Sequence, residues 1–191
     1  MSDWLNEPPE WREEDGALVL RTAGKVDFWR NTLVDYVEDS AHLYYDVVDG
    51  DFVASVRFGG DYRDQYDQAG LVVRQDERNW LKCGVELVNG EWARDYRYRG
   101  AAHLVMAGLT ANGWSEWSTL PQLPENPERV WMRVIRDGST LYVDWSLDGD
   151  EFTVLKLCAL PDAGELAVGR YAAAPVGGGF VARFDSYSLE T

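Results

Sequence analysis

Six turn dipeptides, each Asp-Gly or Asn-Gly, recur along this chain. They lie at Asp15-Gly16, Asp49-Gly50, Asn89-Gly90, Asn112-Gly113, Asp137-Gly138 and Asp148-Gly149. Because such pairs accept the positive φ angles of tight hairpin turns, they typically join neighbouring antiparallel strands. Most of the flanking segments are rich in Val, Leu, Phe, Tyr and Trp, which favour strands. The pattern predicts a chain of hairpins.

The predicted strands are Ala17–Thr22, Leu43–Val47, Phe52–Phe58, Ala69–Gln75, Trp80–Val88, Trp92–Arg97, His103–Ala107, Val130–Arg136, Leu141–Leu147, Phe152–Leu157, Leu166–Tyr171 and Phe180–Leu189. About a dozen strands in a chain of 191 residues favour an all-β, two-sheet sandwich. The best helical candidate, Asn31–Asp39, is too short to organise the fold. The prolines of Pro121–Glu128 predict a surface loop. Without an internal repeat or linker, we expect one domain over residues 1–191.

The charge balance excludes some partners. Eighteen Lys and Arg oppose thirty-three Asp and Glu, so the net charge is -15, which repels phosphate backbones and anionic lipids. We therefore expect neither nucleic acid nor membrane as a partner. The N-terminus lacks a basic start followed by an apolar run, and no apolar stretch approaches the ~20 residues that span a bilayer. A cytoplasmic location is the expectation.

Metal-ligating residues are scarce. Cys83 and Cys158 are too few for a disulfide framework, and with His42 and His103 they do not show the spacing of a zinc site. We expect two buried free thiols, no transition metal and no organic cofactor. Calcium is the exception to test, because loop aspartates supply the oxygen ligands that it prefers.

Alternation along Trp80–Val88 separates two faces, since successive side chains of a strand point to opposite sides of a sheet. We assign Leu81, Cys83, Val85 and Leu87 to the core, together with Leu71 and Val73 of Ala69–Gln75. If Phe52–Phe58 is a further neighbour, the opposite face collects Arg57, Arg74, Trp80, Lys82 and Glu86. Val130–Arg136 adds Trp131 and Arg133, and Gly70 and Gly84 would form the floor of a groove.

Two interpretations of this polar face stand side by side. Antiparallel sheets commonly solvate one face, where Lys-Glu and Arg-Glu pairs are ordinary. Tryptophans beside hydrogen-bonding groups are instead typical of a sugar-binding cleft.

Four blocks in order resemble a known family: VDFWRNT (Val26–Thr32), YDQAGLVVRQDERNWLKCGVEL (Tyr66–Leu87), YVDWSLDGDEF (Tyr142–Phe152) and VGRYAAAPVGGGF (Val168–Phe180). They are similar to the family of uncharacterised domains that includes the yeast regulation of enolase protein 1. The resemblance implies a concanavalin A-like lectin/glucanase fold, an antiparallel jelly-roll sandwich with a ligand groove on its concave sheet in sugar-binding relatives. The sequence departs from the family at Asn112–Ser115, where Ser-Asp-Trp-Ser is usual.

The family pattern makes eight residues prominent: Asp27, Trp29, Tyr66, Asp67, Gln68, Trp80, Lys82 and Glu86. Each has a structural alternative. Asp67 and Gln68 would cap a loop, Trp29 would lie in the core, and Lys82 would neutralise Glu86.

Three functions follow. The first is a non-catalytic domain that binds a saccharide or another small polyhydroxylated or anionic metabolite. The second is a glycoside hydrolase, with Glu86 and a loop acid, Asp67 or Asp27, as the two carboxyl groups that the reaction requires. The expected Glu-x-Asp-x-x-Glu strand of such enzymes is missing from the sequence, which favours the non-enzymatic function. The third, by analogy with the family alone, is regulation of a metabolic enzyme as a protein partner.

Overall fold

The computed structural model describes residues 2–33, 35–89, 101–120, 123, 127–160 and 164–191. No helix occurs within these ranges. The strands are β1 (Asp3–Leu5), β2 (Glu10–Glu14), β3 (Ala17–Arg21), β4 (Phe28–Arg30), β5 (Val37–Asp39), β6 (His42–Val48), β7 (Phe52–Gly60), β8 (Gln68–Asp76), β9 (Asn79–Asn89), β10 (Ala101–Ala111), β11 (Trp114–Ser115), β12 (Ser118–Thr119), β13 (Val130–Asp137), β14 (Thr140–Ser146), β15 (Thr153–Ala159), β16 (Leu166–Ala173) and β17 (Val181–Glu190).

Two large antiparallel sheets pack face to face. Sheet A has the order β1-β6-β16-β8-β9-β10-β11, and β12 also pairs with β10. Sheet B has the order β15-β14-β13-β7-β17-β3-β2. Strands β4 and β5 form a separate hairpin. The predicted all-β, two-sheet antiparallel sandwich of the jelly-roll type is confirmed.

Four of the turn dipeptides join strands that pair with each other, as predicted, but Asp49-Gly50 joins β6 of sheet A to β7 of sheet B and forms no hairpin. Asp15 and Gly16 have φ angles of 50° and 79° between β2 and β3. Asn112 and Gly113 have φ angles of 52° and 81° between β10 and β11. Both pairs have the left-handed backbone that suits the twist of a tight hairpin.

The space between the sheets holds the main core. From sheet A, the predicted inward residues Leu71, Val73, Leu81, Cys83, Val85 and Leu87 are buried. Sheet B contributes Phe52, Ala54, Val56 and Phe58 of β7 and Val130, Met132 and Val134 of β13. Val72 and Trp80, which alternate with them, belong to a separate apolar cluster on the other face of sheet A, so the two clusters confirm the predicted alternation.

The β4–β5 hairpin lies over the opposite face of sheet A and buries it. Phe28 of β4 is fully buried against Trp80, with ring centroids 5.8 Å apart. Val72, Met106 and Tyr171 of sheet A belong to the same apolar cluster. Burial of one such large side chain stabilises the fold by roughly 1.5–3 kcal/mol. Sheet A is therefore covered on both faces near its centre.

Several sequence predictions need correction. The helical candidate Asn31–Asp39 contains strand β5, where alternating pairing with β4 replaces a helical pattern. Cys83 is buried, but Cys158 on edge strand β15 is only half-buried. The predicted strand Trp92–Arg97 lies outside the described residues, as does much of the predicted loop at 121–128.

Candidate functional site

Three ionisable side chains meet beneath the β4–β5 hairpin, and we call Asp27, Lys82 and Glu86 the acidic cluster. Lys82 and Glu86 lie four residues apart on β9 and share its outer face. Asp27 immediately precedes β4, whose packing brings its carboxylate over β9. All three are buried, at 7%, 2% and 4% exposure. The solvated-face interpretation of Lys82 and Glu86 is therefore wrong.

Lys82 makes its ion pair with Asp27. Its Nζ lies 3.3 Å from Asp27 Oδ1 and donates a 2.8 Å hydrogen bond to the Phe28 carbonyl. Asp27 Oδ1 also accepts a 2.7 Å hydrogen bond from the Phe28 backbone N–H. The ammonium lies 5.7 Å from the Trp29 ring centroid and 5.8 Å from that of Trp80. These contacts hold Lys82 between a carboxylate, a carbonyl and two aromatic rings.

Glu86 is held differently. Burial raises the pKa of Glu86 to about 7, because desolvation disfavours the carboxylate form. Lys82 lowers this pKa, Asp27 raises it, and a hydrogen bond from the Trp117 indole N–H lowers it. Glu86 is therefore a buried carboxyl group that exchanges a proton near neutral pH.

A polar wall and a glycine floor adjoin Glu86. Gln68 of β8 lies opposite Glu86 in the ladder and accepts a 3.2 Å hydrogen bond from the Tyr171 hydroxyl. Gly70 and Gly84 face each other on these two strands. A Cβ on Gly84 would lie 2.0 Å from the Ala69 carbonyl oxygen, so the strands require glycine there. Gly70 and Gly84 thus lie on the predicted face of sheet A, while a groove above them stays a prediction.

Partly exposed aromatic side chains surround the acidic cluster. Trp117 is 40% exposed and bonds Glu86, while Trp29 is half-buried beside Lys82. Burial raises the pKa of Tyr36 to about 12, and Asp27 contributes in the same direction. Burial also raises the pKa of Tyr66, with a further contribution from Glu86. We call Trp29, Tyr36, Tyr66 and Trp117 the aromatic rim.

Two predicted ligand-binding residues on this face hold the hairpin in place instead. Trp80 is 1% exposed and packs against Phe28, so its ring offers no stacking surface to a ligand. Arg74 is also buried and binds Asp39 of β5 through two hydrogen bonds of 2.8 Å. The prediction of an open Trp80 platform is wrong, because the hairpin occupies that position.

Asp67 lies away from the acidic cluster. Its Oδ2 accepts hydrogen bonds of 2.9 and 3.0 Å from the backbone N–H groups of Arg63 and Asp64. Burial raises the pKa of Asp67, and those two N–H groups oppose the shift. Asp67 therefore caps the loop before β8, which is its structural alternative. Of the two hypothetical catalytic partners of Glu86, Asp27 lies close enough to raise the pKa of Glu86, whereas Asp67 accepts its hydrogen bonds from the loop.

The remaining predicted residues belong to the other sheet. Arg57 on β7 lies 4.9 Å from the Trp131 ring centroid on β13, and Arg133 bonds Asp144 at 2.7 Å. All three predicted residues point outward from sheet B. Alternation assigned each side chain to the correct face of its strand, but it carries no information on which sheet a strand joins. The predicted single site is thus divided between two sheets.

The sequence prediction did not include Trp117, Tyr36 or Tyr171 among the site residues. The Trp-Ser-Glu-Trp run after the Asn112-Gly113 turn is the signal that points to Trp117. Tyr171 lies within a block that carries the family resemblance.

The chemistry available at the cluster is hydrogen bonding and proton exchange. Among the described residues, no group of three or more His, Cys, Asp and Glu side chains is arranged to hold a metal ion. In that same part of the chain, no helix is long and apolar enough to cross a membrane. Two carboxyl groups and one paired ammonium favour ligands that offer hydroxyl groups over ligands that carry negative charge.

Comparison with known proteins identifies relatives over nearly the whole chain. Regulation of enolase protein 1 of Saccharomyces cerevisiae is 33% identical over 186 residues, which cover 97% of this chain and 87% of the yeast protein. The uncharacterized protein AN7484 of Emericella nidulans is 25% identical over 97% of this chain and 92% of its own. A crystal structure of a functionally unknown S. cerevisiae protein superposes with a TM-score of 0.88 at 33% identity, covering 100% of this chain and 96% of that one.

More distant structures share the fold. The carbohydrate binding module CBM66 from Bacillus subtilis has a TM-score of 0.60 at 13% identity, over 98% of this chain and 95% of the module. The GH43 protein BlXynB from Bacillus licheniformis has a TM-score of 0.67 at 16% identity, over 96% of this chain but 35% of its own. The family model described as Protein of unknown function (DUF1349) matches residues 4–191. With the yeast relative, this match shows that the chain belongs to the DUF1349 family.

Proposed function

We propose that this protein is a non-catalytic binding domain that holds a saccharide or similar polyhydroxylated molecule at the acidic cluster. The observation that carries the proposal is Glu86, a buried carboxyl group beside the partly exposed Trp117, whose indole lowers the pKa of that carboxyl group. Ligand hydroxyls would replace the indole N–H at Glu86. The fold shared with a carbohydrate binding module and the name of the yeast relative support a non-catalytic role.

The composition of the site favours a neutral polyol. Sugar hydroxyls donate to carboxylates, and the faces of Trp29 and Trp117 offer apolar surface to sugar C–H groups. An anionic metabolite would meet Glu86 and Asp27, while the ammonium of Lys82 is already paired. The anionic part of the sequence-based hypothesis is therefore the weaker part.

The test is a ligand screen followed by paired tryptophan variants. A panel of neutral mono- and oligosaccharides is screened by thermal shift, and the best hit is measured by calorimetry. Trp117→Ala is expected to weaken binding about tenfold or more, because it removes both a stacking surface and a neighbour of Glu86. Trp114→Ala removes a tryptophan that is 64% exposed nearby and serves as the matched control. Equal affinities in both variants would contradict the proposal.

A glycosidase-like hydrolase is the second candidate. Its support is the pKa of Glu86 near 7, which suits a general acid, together with the carboxylate of Asp27 in the same cluster. The GH43 neighbours share only the fold at this level of identity. Release of nitrophenol from aryl glycosides that disappears in Glu86→Gln would establish hydrolysis; the non-catalytic proposal expects none.

A protein partner is the third candidate, and the name of the yeast relative supports it. If this chain regulates an enolase, calorimetry with purified enolase would detect a complex. Persistence of that complex in Trp117→Ala would separate protein binding from the saccharide site.

A further inference from the structure

The loop that enters β8 has an unusual backbone conformation beside the acidic cluster. Tyr66 has a φ angle of 68°, in the left-handed region that residues with a Cβ avoid. Most of the other described non-glycine residues with positive φ are Asn or Asp, which adopt this conformation more easily. Because glycine or asparagine would take this angle at lower cost, a tyrosine here indicates a role for its side chain.

Neighbouring groups hold Tyr66 in this conformation. The Tyr66 N–H donates a 2.7 Å hydrogen bond to the Leu87 carbonyl of β9. Gln68 Nε2 donates a 3.2 Å hydrogen bond to the Tyr66 carbonyl, and Gln68 Oε1 accepts one from the Tyr171 hydroxyl. Asp67 is fully buried and accepts two backbone hydrogen bonds of the loop through Oδ2. The strained residue is therefore fixed through its own N–H, its carbonyl and the residue that follows.

The loop carries a second local cost next to the first. Asp67 Oδ1 is buried and makes no hydrogen bond to a described residue. Burial raises the pKa of Asp67, and the backbone N–H groups of Asp64 and Arg63 oppose that shift. A strained backbone and an unsatisfied carboxylate oxygen in adjacent residues both reduce stability. Such costs are typical of segments whose geometry serves a site, so they support a functional role for the position of Tyr66.

The Tyr66 ring borders the acidic cluster and is only half-buried. Burial raises the pKa of Tyr66, a hydrogen bond with Gln65 lowers it, and the nearby Glu86 carboxylate raises it. The backbone of Tyr66 is bonded to Leu87, the residue that follows Glu86 on β9. A phenol hydroxyl both donates and accepts hydrogen bonds. The side chain can therefore bond a molecule that is held at Glu86.

We propose that Tyr66 is a specificity-determining residue of the ligand site at Glu86, and that Asp67 and Gln68 are positioning residues for it. This inference rests on the proposed function, because it gives Tyr66 a contact with the saccharide bound there. The phenol hydroxyl bonds one sugar hydroxyl, and the ring covers adjacent sugar C–H groups. Asp67 and Gln68 act through Tyr66 and do not themselves contact the saccharide.

The binding test is titration of the ¹⁵N-labelled protein with D-glucose, D-galactose, D-xylose and cellobiose. Tyr66→Phe should weaken binding of the best of these sugars about threefold to tenfold. The native protein should also reject one monodeoxy analogue of that sugar, and Tyr66→Phe should no longer distinguish the two. Gln68→Met should weaken binding in the native background but add nothing to Tyr66→Ala, because its effect passes through Tyr66.

The outcomes separate this inference from the proposed function. Native affinity in Tyr66→Phe and Tyr66→Ala, together with weakened binding in Trp117→Ala, would overturn this inference alone. If none of the four sugars binds the native protein, the proposed function fails and the inference fails with it.

A second measurement tests the strained backbone without a ligand. Tyr66→Gly and Tyr66→Ala both remove the ring, but only glycine takes this φ angle without a Cβ clash. Tyr66→Gly should therefore melt about 1 °C or more above Tyr66→Ala. Arg63 in the same loop does not have a positive φ angle, so in the matched control Arg63→Gly should melt below Arg63→Ala. A higher melting temperature for alanine at both positions would refute the strain and the role drawn from it.

Discussion

Lys82→Met tests the acidic cluster most directly. In the native protein, the side chains of Lys82 and Asp27 are 3% and 10% exposed and their charged atoms lie 3.3 Å apart. Removing the ammonium leaves the Asp27 carboxylate buried without its cation and takes the donor from the Phe28 carbonyl. Breaking a buried pair in this way typically costs about 3–5 kcal/mol of unfolding free energy. For a protein of this size, the melting temperature should fall by about 6–20 °C.

A double variant separates the effect of an unpaired buried carboxylate from the effect of lost packing. Asp27→Asn combined with Lys82→Met removes both charges but retains an oxygen that accepts from the Phe28 N–H. The double variant still lacks a donor to the Phe28 carbonyl, so we expect a cost of about 1–3 kcal/mol. The double variant should therefore be more stable than Lys82→Met alone.

The assay is urea unfolding followed by tryptophan fluorescence at pH 7 for the native protein, Lys82→Met, Asp27→Asn and the double variant. A loss below about 1 kcal/mol for Lys82→Met, with additive effects in the double variant, would match an ordinary solvated pair. That result would refute the buried cluster and restore the exposed-face interpretation of the sequence.

Four further predictions follow from the same contacts. The pKa of Glu86 is about 7 in the folded protein, against an ordinary pKa of 4.5. The stability that Glu86 contributes is therefore full below about pH 4.5 and is lost as the pH rises through 7. Glu86→Gln should flatten this pH dependence of the unfolding free energy, measured across that range. Gly84→Ala places a Cβ 2.0 Å from a neighbouring carbonyl oxygen and should cost more than about 4 kcal/mol in urea unfolding; a stable variant would contradict the required close approach. Trp131 lies on sheet B, so Trp131→Ala should leave unchanged the affinity for any ligand of the acidic cluster, as measured by calorimetry. Weakened binding would contradict the separation of the two faces. Chelator should shift the melting temperature by less than about 1 °C, and a larger drop would reveal a bound ion such as calcium.

The fold could be predicted from local signals to a large extent. Turn dipeptides marked hairpins such as β13–β14, and alternation identified the core face of β9, because both signals act within a few residues. The shortest strands, β1, β4, β5, β11 and β12, were missed, since two or three residues carry no measurable period. The five-residue strand β2 was missed because its sequence, EWREE, is almost entirely charged. Sheet membership was also missed for β7, because long-range pairing leaves no mark in one strand's own pattern.

The site was predicted in part for the same reason. Lys82, Glu86 and Gln68 share a face through spacing along β9 and register with β8, and Asp27 and Trp29 joined them through the family resemblance. Trp117 and Tyr36 reach the cluster from separate loops and strands, which alternation cannot relate to β9.

The buried outer face of sheet A nevertheless had a signal in the sequence. A strand solvated on one side alternates, whereas Gly70–Val73 of β8 is continuously apolar, as is typical of a strand covered on both faces. In such a layer, buried polar groups need partners. Lys82 has Asp27 and Gln68 has Tyr171, both buried, and Arg74 has Asp39, whose side chain is 31% exposed. Beside Glu86 lies instead Trp117, whose side chain is 40% exposed, so we expect a ligand from solvent to reach this carboxyl group by displacing that indole.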